Sequence, residues 1–255
     1  MENTLLVGLS RQMALTHELD IIANNIANID TTGFKADNAA FTQFLKSSAR
    51  DGQFSGNDKR ISFVQDRASW TDLSPGAVER TGNPLDVAVD GKGYLVVQTP
   101  RGQRYTRNGS FSIDATGALV TSEGNQVTGT AGPITFQAND HDINISSTGI
   151  ITVRDSTGTE SPRGQLQIVS IDKPHLLQKD GSSTFNAPVG VAAGPVPPNT
   201  RVVQGALEKS NVHAVTQMAR MIEITRSYAD IAAILQQQSD QRRNALQQLS
   251  QPPSN

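Results

Sequence analysis

Cysteine is missing from this 255-residue chain, which excludes disulfides and thiolate metal sites. Aromatic side chains supply only 5% of the residues, thin for the core of a compact enzyme. Neither sign of charge dominates. The 22 basic and 24 acidic residues leave a net charge of −2, which removes the electrostatic reason to expect nucleic acid or an anionic membrane as a partner. Long apolar runs are absent as well. No stretch approaches the ~18 residues that span a bilayer, so no direct membrane span is expected. The N-terminus has no basic n-region, and its apolar residues alternate with Gly8, Ser10, Arg11 and Gln12. It does not read as a secretory signal, so any export is expected to leave it uncleaved.

Proline is absent before Pro75, and ten of the 12 prolines fall between Pro75 and Pro198. After Gly205, neither proline nor glycine interrupts the chain as far as Leu249. The chain is therefore helical at both ends and turn-rich in the middle. In the first helix, Leu15, Leu19, Ile22, Ile26 and Ile29 step by four, three, four and three, a heptad seam that Leu6, Leu9 and Met13 extend upstream. Gly33 suits the left-handed position just past its end. Asn24, Asn25 and Asn28 each cost roughly 0.6 kcal/mol against Ala inside a helix. With Ile21, Ala23 and Ala27 also off the seam, the helix has no plainly solvated face, and a helix of that kind is buried on several sides. It is expected to pack against more than one neighbour, the amides hydrogen-bonding across the contacts. A plain two-helix hairpin with exposed asparagines is the simpler alternative. The last helix, from about Asn211 to Leu249, carries a matching seam on Met221, Ile224, Tyr228, Ile231 and Leu235.

Between the helices the pattern changes. Residues 37–50 suit a short amphipathic helix on Phe41, Phe44 and Leu45, residues 51–58 a loop, and Ile61–Val64 and Ala68–Trp70 short strands. From Gly76, strands are expected at Leu85–Val89, Tyr94–Val97, Arg104–Arg107, Ser110–Ile113, Leu119–Val120, Ile134–Phe136, Ile143–Ile145, Ile150–Val153 and Leu166–Ile171, with Gly91-Lys92-Gly93 as a hairpin turn. Val189 to Thr200 reads as an extended return strap. The fold class is α+β: N- and C-terminal helices pairing as a coiled coil, with an inserted, mainly antiparallel β domain in sandwich or barrel form. The expected boundaries are 1–35 for the first helix, 36–75 for a connector, 76–204 for the β domain, 205–250 for the last helix and 251–255 for a tail.

No catalytic residue, metal site or cofactor is expected. His17, His141, His175 and His213 lack ligand spacing. There is neither a nucleophile elbow nor a phosphate-binding loop. Asp86 and Asp90 sit in strand-and-turn context, short of a glycosidase dyad. Arg101, Arg104 and Arg107 around Tyr105 read as a solvated strand face.

Three ordered motifs carry a resemblance. Ala23-Asn24-Asn25-Ile26-Ala27-Asn28, followed by Thr31-Thr32-Gly33-Phe34-Lys35, resembles the N-terminal signature of the bacterial flagellar rod and hook proteins. Gly82 to Tyr94, followed by Tyr105-Thr106-Arg107-Asn108-Gly109-Ser110-Phe111, resembles their central motif. Leu207-Glu208, Ser210-Asn211-Val212, Met221-Ile222-Glu223 and Arg226-Ser227-Tyr228 resemble their C-terminal motif. Asp30 stands where the family commonly has Asn. Within the family, Val7 to Gln12 looks more like the proximal-rod than the distal-rod proteins.

The resemblance implies a structural subunit of the basal-body rod within the periplasm. It would be exported through the flagellar type III apparatus, with terminal helices lining the inner tube and the β domain facing outward. Its implied partners are copies of itself, neighbouring rod proteins and the export apparatus, with no nucleic acid and no small-molecule substrate. Leu19, Ile21, Ile22, Asn24, Asn25, Ile26, Asn28 and Ile29 of the first helix are the expected subunit contacts. Met221, Ile222, Ile224, Tyr228, Ile231 and Leu235 are their counterparts on the last. The terminal helices are expected to order on docking, since neither seam has a large core to rest on. A distal-rod or hook-type subunit, a wall-modifying enzyme with coiled-coil tails, and a soluble adaptor are the competing readings.

Overall fold

The computed structural model describes residues 2–46, 61–155, 158–181 and 183–250. The expected loop at 51–58, the end of the segment 37–50 and the tail 251–255 lie outside them. Contacts divide the chain into a helical unit, drawn from Met1–Ile26, Asp37–Trp70 and His213–Asn255, and a β unit, drawn from Ala27–Ala36 and Thr71–Val212.

In the helical unit, α1 spans Glu2–Ala27 and α2 spans Ala214–Ser250. At 1.5 Å per residue they are roughly 39 and 56 Å long. Arg220 Nε donates to Glu18 Oε1 at 2.9 Å, and Leu235 packs on Gly8, where an added Cβ would lie 2.6 Å from Leu235 Cδ2. Residue 8 meets 235 and residue 18 meets 220, so the two helices lie side by side and antiparallel. Ala14, Ile22, Asn25 and Ile224 are buried. The segment expected as a short helix is instead a strand, Asp37–Lys46, paired with Ile61–Thr71 in a two-stranded sheet. Local helical spacing lost to partners distant in the chain here: Asn25 clamps Asp37 in an extended conformation from both sides, donating to its carbonyl at 2.8 Å and accepting from its N–H at 2.9 Å. The partner is one 11-residue strand rather than two short ones.

The first helix ends two residues before Ile29, the last residue of the expected seam. Asn28 redirects the chain: its carbonyl accepts from Thr31 N–H at 3.2 Å and its Oδ1 from Thr31 Oγ1 at 3.1 Å, the local bonding by which Asn and Thr compete with helix. Gly33 does adopt a left-handed φ of +69°, but as a loop residue rather than a helix cap. Its N–H donates to Glu208 O at 2.8 Å, and a Cβ there would lie 2.4 Å from Asn108 N. Ile29 packs instead on Phe34, Ala36 and Val212.

The β unit is built on a ten-stranded sheet with smaller sheets beside it, and its strands pair antiparallel. The strand Tyr94–Thr99 sits in its middle, pairing with Gly102–Thr106, Gln126–Gly129 and Ile168–Ile171. Its run Tyr94-Leu95-Val96-Val97 is apolar throughout because both faces are covered. Leu95 and Val97 enter one core with Val87, Phe111, Ile134 and Ile151. Tyr94 and Val96 enter a second with Tyr105, Ile171 and Phe185.

The Gly91-Lys92-Gly93 turn does not close a hairpin. The preceding strand, Val87–Asp90, takes Arg201–Gln204 as its partner, from the far end of the unit. The expected strand at Ile134–Phe136 makes only an isolated bridge, Thr135 to Ala118, although Ile134 and Phe136 are core residues. The stretch Leu166–Ile171 forms a bridge at Leu166 and a shorter strand, Ile168–Ile171. The strap contributes the two-residue strand Ala193–Gly194, paired to Ser170 and Ile171.

Candidate functional site

The expected subunit contacts fall into three groups. Ile22, Asn25 and Ile224 are buried, with Asn25 committed to Asp37. Leu19, Ile21, Ile26, Ile231 and Leu235 are half-buried, as are Asn28 and Ile29, which lie beyond the end of α1. Asn24, Met221, Ile222 and Tyr228 are exposed. The helices also present exposed apolar rows, of which Val215 and Met218 are the members not singled out from the sequence. On α1, Leu6, Leu9 and Met13 step by three and four and are exposed by 52, 51 and 67%. On α2, Val215, Met218 and Ile222 repeat that spacing at 82, 52 and 55%. Apolar rows of this kind, exposed along helices, mark a surface suited to another protein.

The β unit holds the residues that pattern reasoning missed, all of them inside the three motifs. Lys35, Arg107 and Glu208 are brought together from three distant segments, with side chains 1, 7 and 1% exposed. Glu208 Oε1 accepts from Lys35 Nζ at 2.5 Å and from Gly76 N–H at 3.0 Å, while Oε2 accepts from Arg107 Nη1 at 3.3 Å. Lys35 also donates to Ser74 O at 2.7 Å, and Arg107 to the carbonyls of Val89 and Gly91. Burial pulls the Lys35 ammonium below the ordinary lysine range, against the opposing pull of Glu208. Burial likewise pushes the Tyr94 phenol up, with Arg107 stacked 5.0 Å from its ring centre.

Asn211 completes the junction. Its Oδ1 accepts from Ala36 N–H at 2.7 Å and its Nδ2 donates to Asp72 O at 2.8 Å. Lys179 Nζ lies 4.0 Å over the Phe34 ring and donates to Lys35 O at 2.6 Å. The motif segments around residues 33–36, 107–109 and 208–211 are thus one ionic and hydrogen-bonded joint. A local signal was legible only at Lys35, a charge set between Phe34 and Ala36 just after Gly33; Arg107 and Glu208 have the polar neighbours Thr106, Asn108 and Lys209.

The other candidate groups have structural occupations. Asp86 accepts from Thr81 Oγ1 at 2.7 Å and Asn83 Nδ2 at 3.0 Å, holding a turn, while Asp90 is exposed. Arg101 and Arg104 do not form an open basic face with Arg107: both pair with Asp180. His141, His175 and His213 are exposed, and among the described residues no group of three His, Asp or Glu could hold a metal ion.

Comparison with known proteins meets the same segments. Residues 5–35 match the family described as flagella basal body rod protein. Residues 88–153 match the flagellar hook protein FlgE/F/G D1 domain, and residues 203–248 the flagellar basal body rod FlgEFG protein C-terminal region. The chain is 34% identical to the flagellar basal-body rod protein FlgF of Caulobacter vibrioides, over 98% of each chain. It is 32% identical to FlgF of Escherichia coli over 98% of this chain and 99% of that one. To the rod protein FlgG of Bacillus subtilis it is 30% identical, over 92% and 94%. The chain belongs to the flagellar basal-body rod protein family, FlgE/F/G, and is a structural rod subunit of the bacterial flagellum. Its likeness extends to FlgF and FlgG alike.

Proposed function

We propose that this chain is a proximal-rod subunit of the FlgF type. It assembles with copies of itself and with neighbouring rod proteins into the axial shaft that transmits torque across the periplasm. The observation that carries this reading is the pair of exposed apolar rows, Leu6–Leu9–Met13 on α1 and Val215–Met218–Ile222 on α2, on helices that meet each other at Glu18–Arg220 and Gly8–Leu235. Helical assembly uses one interface heterologously, so a row on one helix must meet a different row on a neighbouring copy. Leu19, Ile21, Asn24, Ile26, Met221 and Tyr228 join the contact further along the same helices, with the two helices of each subunit paired as a coiled coil. The FlgF rather than FlgG identity is supported by matches that run over 98% of the chain with FlgF of Caulobacter vibrioides and of Escherichia coli. Delivery by the flagellar type III apparatus follows from this reading, as does the absence of any reaction.

The test uses the missing cysteines. Met13→Cys and Ile222→Cys are introduced singly and together, hook–basal bodies are isolated, and the chain is probed for retention and intersubunit cross-links. Retention in the particle with cross-links only in the double variant is the expected result. A chain absent from the particle and soluble in the cell would overturn the assignment.

A further inference from the structure

We infer that the cavity beside Arg107 in the β unit is a binding site for one oxyanion, a carboxylate or a phosphate group. The cavity is about 260 Å³ and is lined by Leu73, Lys92, Tyr94, Arg107, Ser170 and Asp172, among others. Two independent observations point to an anion. The first is an orphaned donor. Arg107 Nη1 and Nη2 are engaged with Val89 O, Glu208 and Gly91 O, but its buried Nε–H has no acceptor. A buried N–H without a partner costs about 1–3 kcal/mol, which an incoming oxygen would recover. The Nε–H lies on an edge of the guanidinium that takes an oxygen of a carboxylate or phosphate.

The second observation is charge. Lys35 and Arg107 are balanced within the joint by Glu208 and the half-buried Asp72, but the charged groups that line the cavity itself are two cations, Arg107 and Lys92, and one carboxylate, Asp172. At the cavity rim, the exposed Lys92 offsets the exposed Asp172. The Tyr94 phenol and Ser170 hydroxyl add neutral donors. The cavity therefore offers donors on several sides and one excess charge, the requirement for a single anionic head and not for a larger ligand.

The ligand has two possible sources, a free anion or a carboxylate side chain of a second copy, and one experiment separates them. The Arg107 Nε–H resonance is followed in the intact chain, assigned by its loss in Arg107→Lys. Inorganic phosphate and acetate are titrated at constant ionic strength set with chloride. A saturable shift in the millimolar range, weakened several-fold in Lys92→Ala, is the result expected of a free-anion site. A shift absent with both anions but developing as the protein itself is concentrated, and lost in Lys92→Ala, assigns the site to a carboxylate of a second copy. A resonance unmoved by either titration, or moving equally in Lys92→Ala, overturns the inference. Lys92 is exposed and outside the buried joint, so its replacement leaves the fold in place.

Discussion

Replacing Glu208 by Gln keeps the side chain's volume and one acceptor oxygen but removes the only carboxylate between two buried cations. In the native chain that carboxylate takes three donors, Lys35 Nζ, Gly76 N–H and Arg107 Nη1, at 1% exposure. Breaking one partner of a buried ionic group leaves uncompensated charge and costs about 3–5 kcal/mol. The exposed counterpart is Arg101, 70% exposed and paired to Asp180, where Arg101→Gln is expected to cost about 0–1 kcal/mol. Urea unfolding distinguishes the two. Tyrosine near-UV circular dichroism in a Tyr228→Phe background reports on the β unit, where Tyr94 stacks on Arg107, and Trp70 fluorescence reports on the helical unit.

Glu208→Gln is expected to shift the tyrosine midpoint strongly. Lys35→Met added to Glu208→Gln should recover part of the loss, because it removes one of the stranded cations. A pH dependence accompanies this. Burial already holds the Lys35 ammonium below its ordinary value, so the unfolded state binds the proton more tightly and stability rises with pH below about 10.5. Without Glu208 that window widens, and the deficit of the variant should shrink as pH rises from about 7 to about 10. A Glu208→Gln loss within about 1 kcal/mol of wild type, or one that grows with pH, would refute the ionic account of the joint.

Three further outcomes follow from single contacts. Asn25→Leu leaves both Asp37 backbone groups without their amide partner and should destabilise the helical unit by about 1–3 kcal/mol, read by Trp70 fluorescence; an unchanged midpoint would mean the clamp is incidental. The Arg163 guanidinium holds the Asp140 carboxyl below the usual range, so that pair stabilises the fold above about pH 3.8 and is lost as pH falls through the folded value. Between about pH 5 and about pH 2, wild type should therefore lose more stability than Arg163→Met, and parallel acid curves would count against it. Gly109→Ala places a Cβ 1.7 Å from Val87 O, a backbone atom that cannot step aside, so soluble expression of the β unit should fail; a folded Gly109→Ala chain would show the strands can separate there.

Helix at both ends and a turn-broken antiparallel middle were written in proline placement and in the two heptad seams, because both are local properties of the backbone. So was the central apolar strand Tyr94-Leu95-Val96-Val97, whose unbroken run announces two covered faces. Local pattern misled where a long-range partner overrode it. The segment after residue 36 has a helical spacing of phenylalanines, but Asn25 and a strand beginning at Ile61 make it a strand. Gly91-Lys92-Gly93 has hairpin chemistry, but Val87–Asp90 finds its partner more than a hundred residues away. Asn25 illustrates the same division within one residue. Its spacing marked it as a polar intruder in a helix, and only the fold assigned its amide to the Asp37 backbone.

The joint of Lys35, Arg107 and Glu208 could be read as three motifs but not as one object, since nothing in the spacing of residues 35, 107 and 208 requires them to meet. Which apolar residues of the helices stay exposed was likewise undetermined by periodicity, because a stripe states that a face is apolar and not what covers it. Periodicity and turn chemistry act over a few residues and so survive in the sequence. Burial of charge, strand partnership and the choice of covered face depend on segments far apart in the chain, and only the tertiary structure decides them.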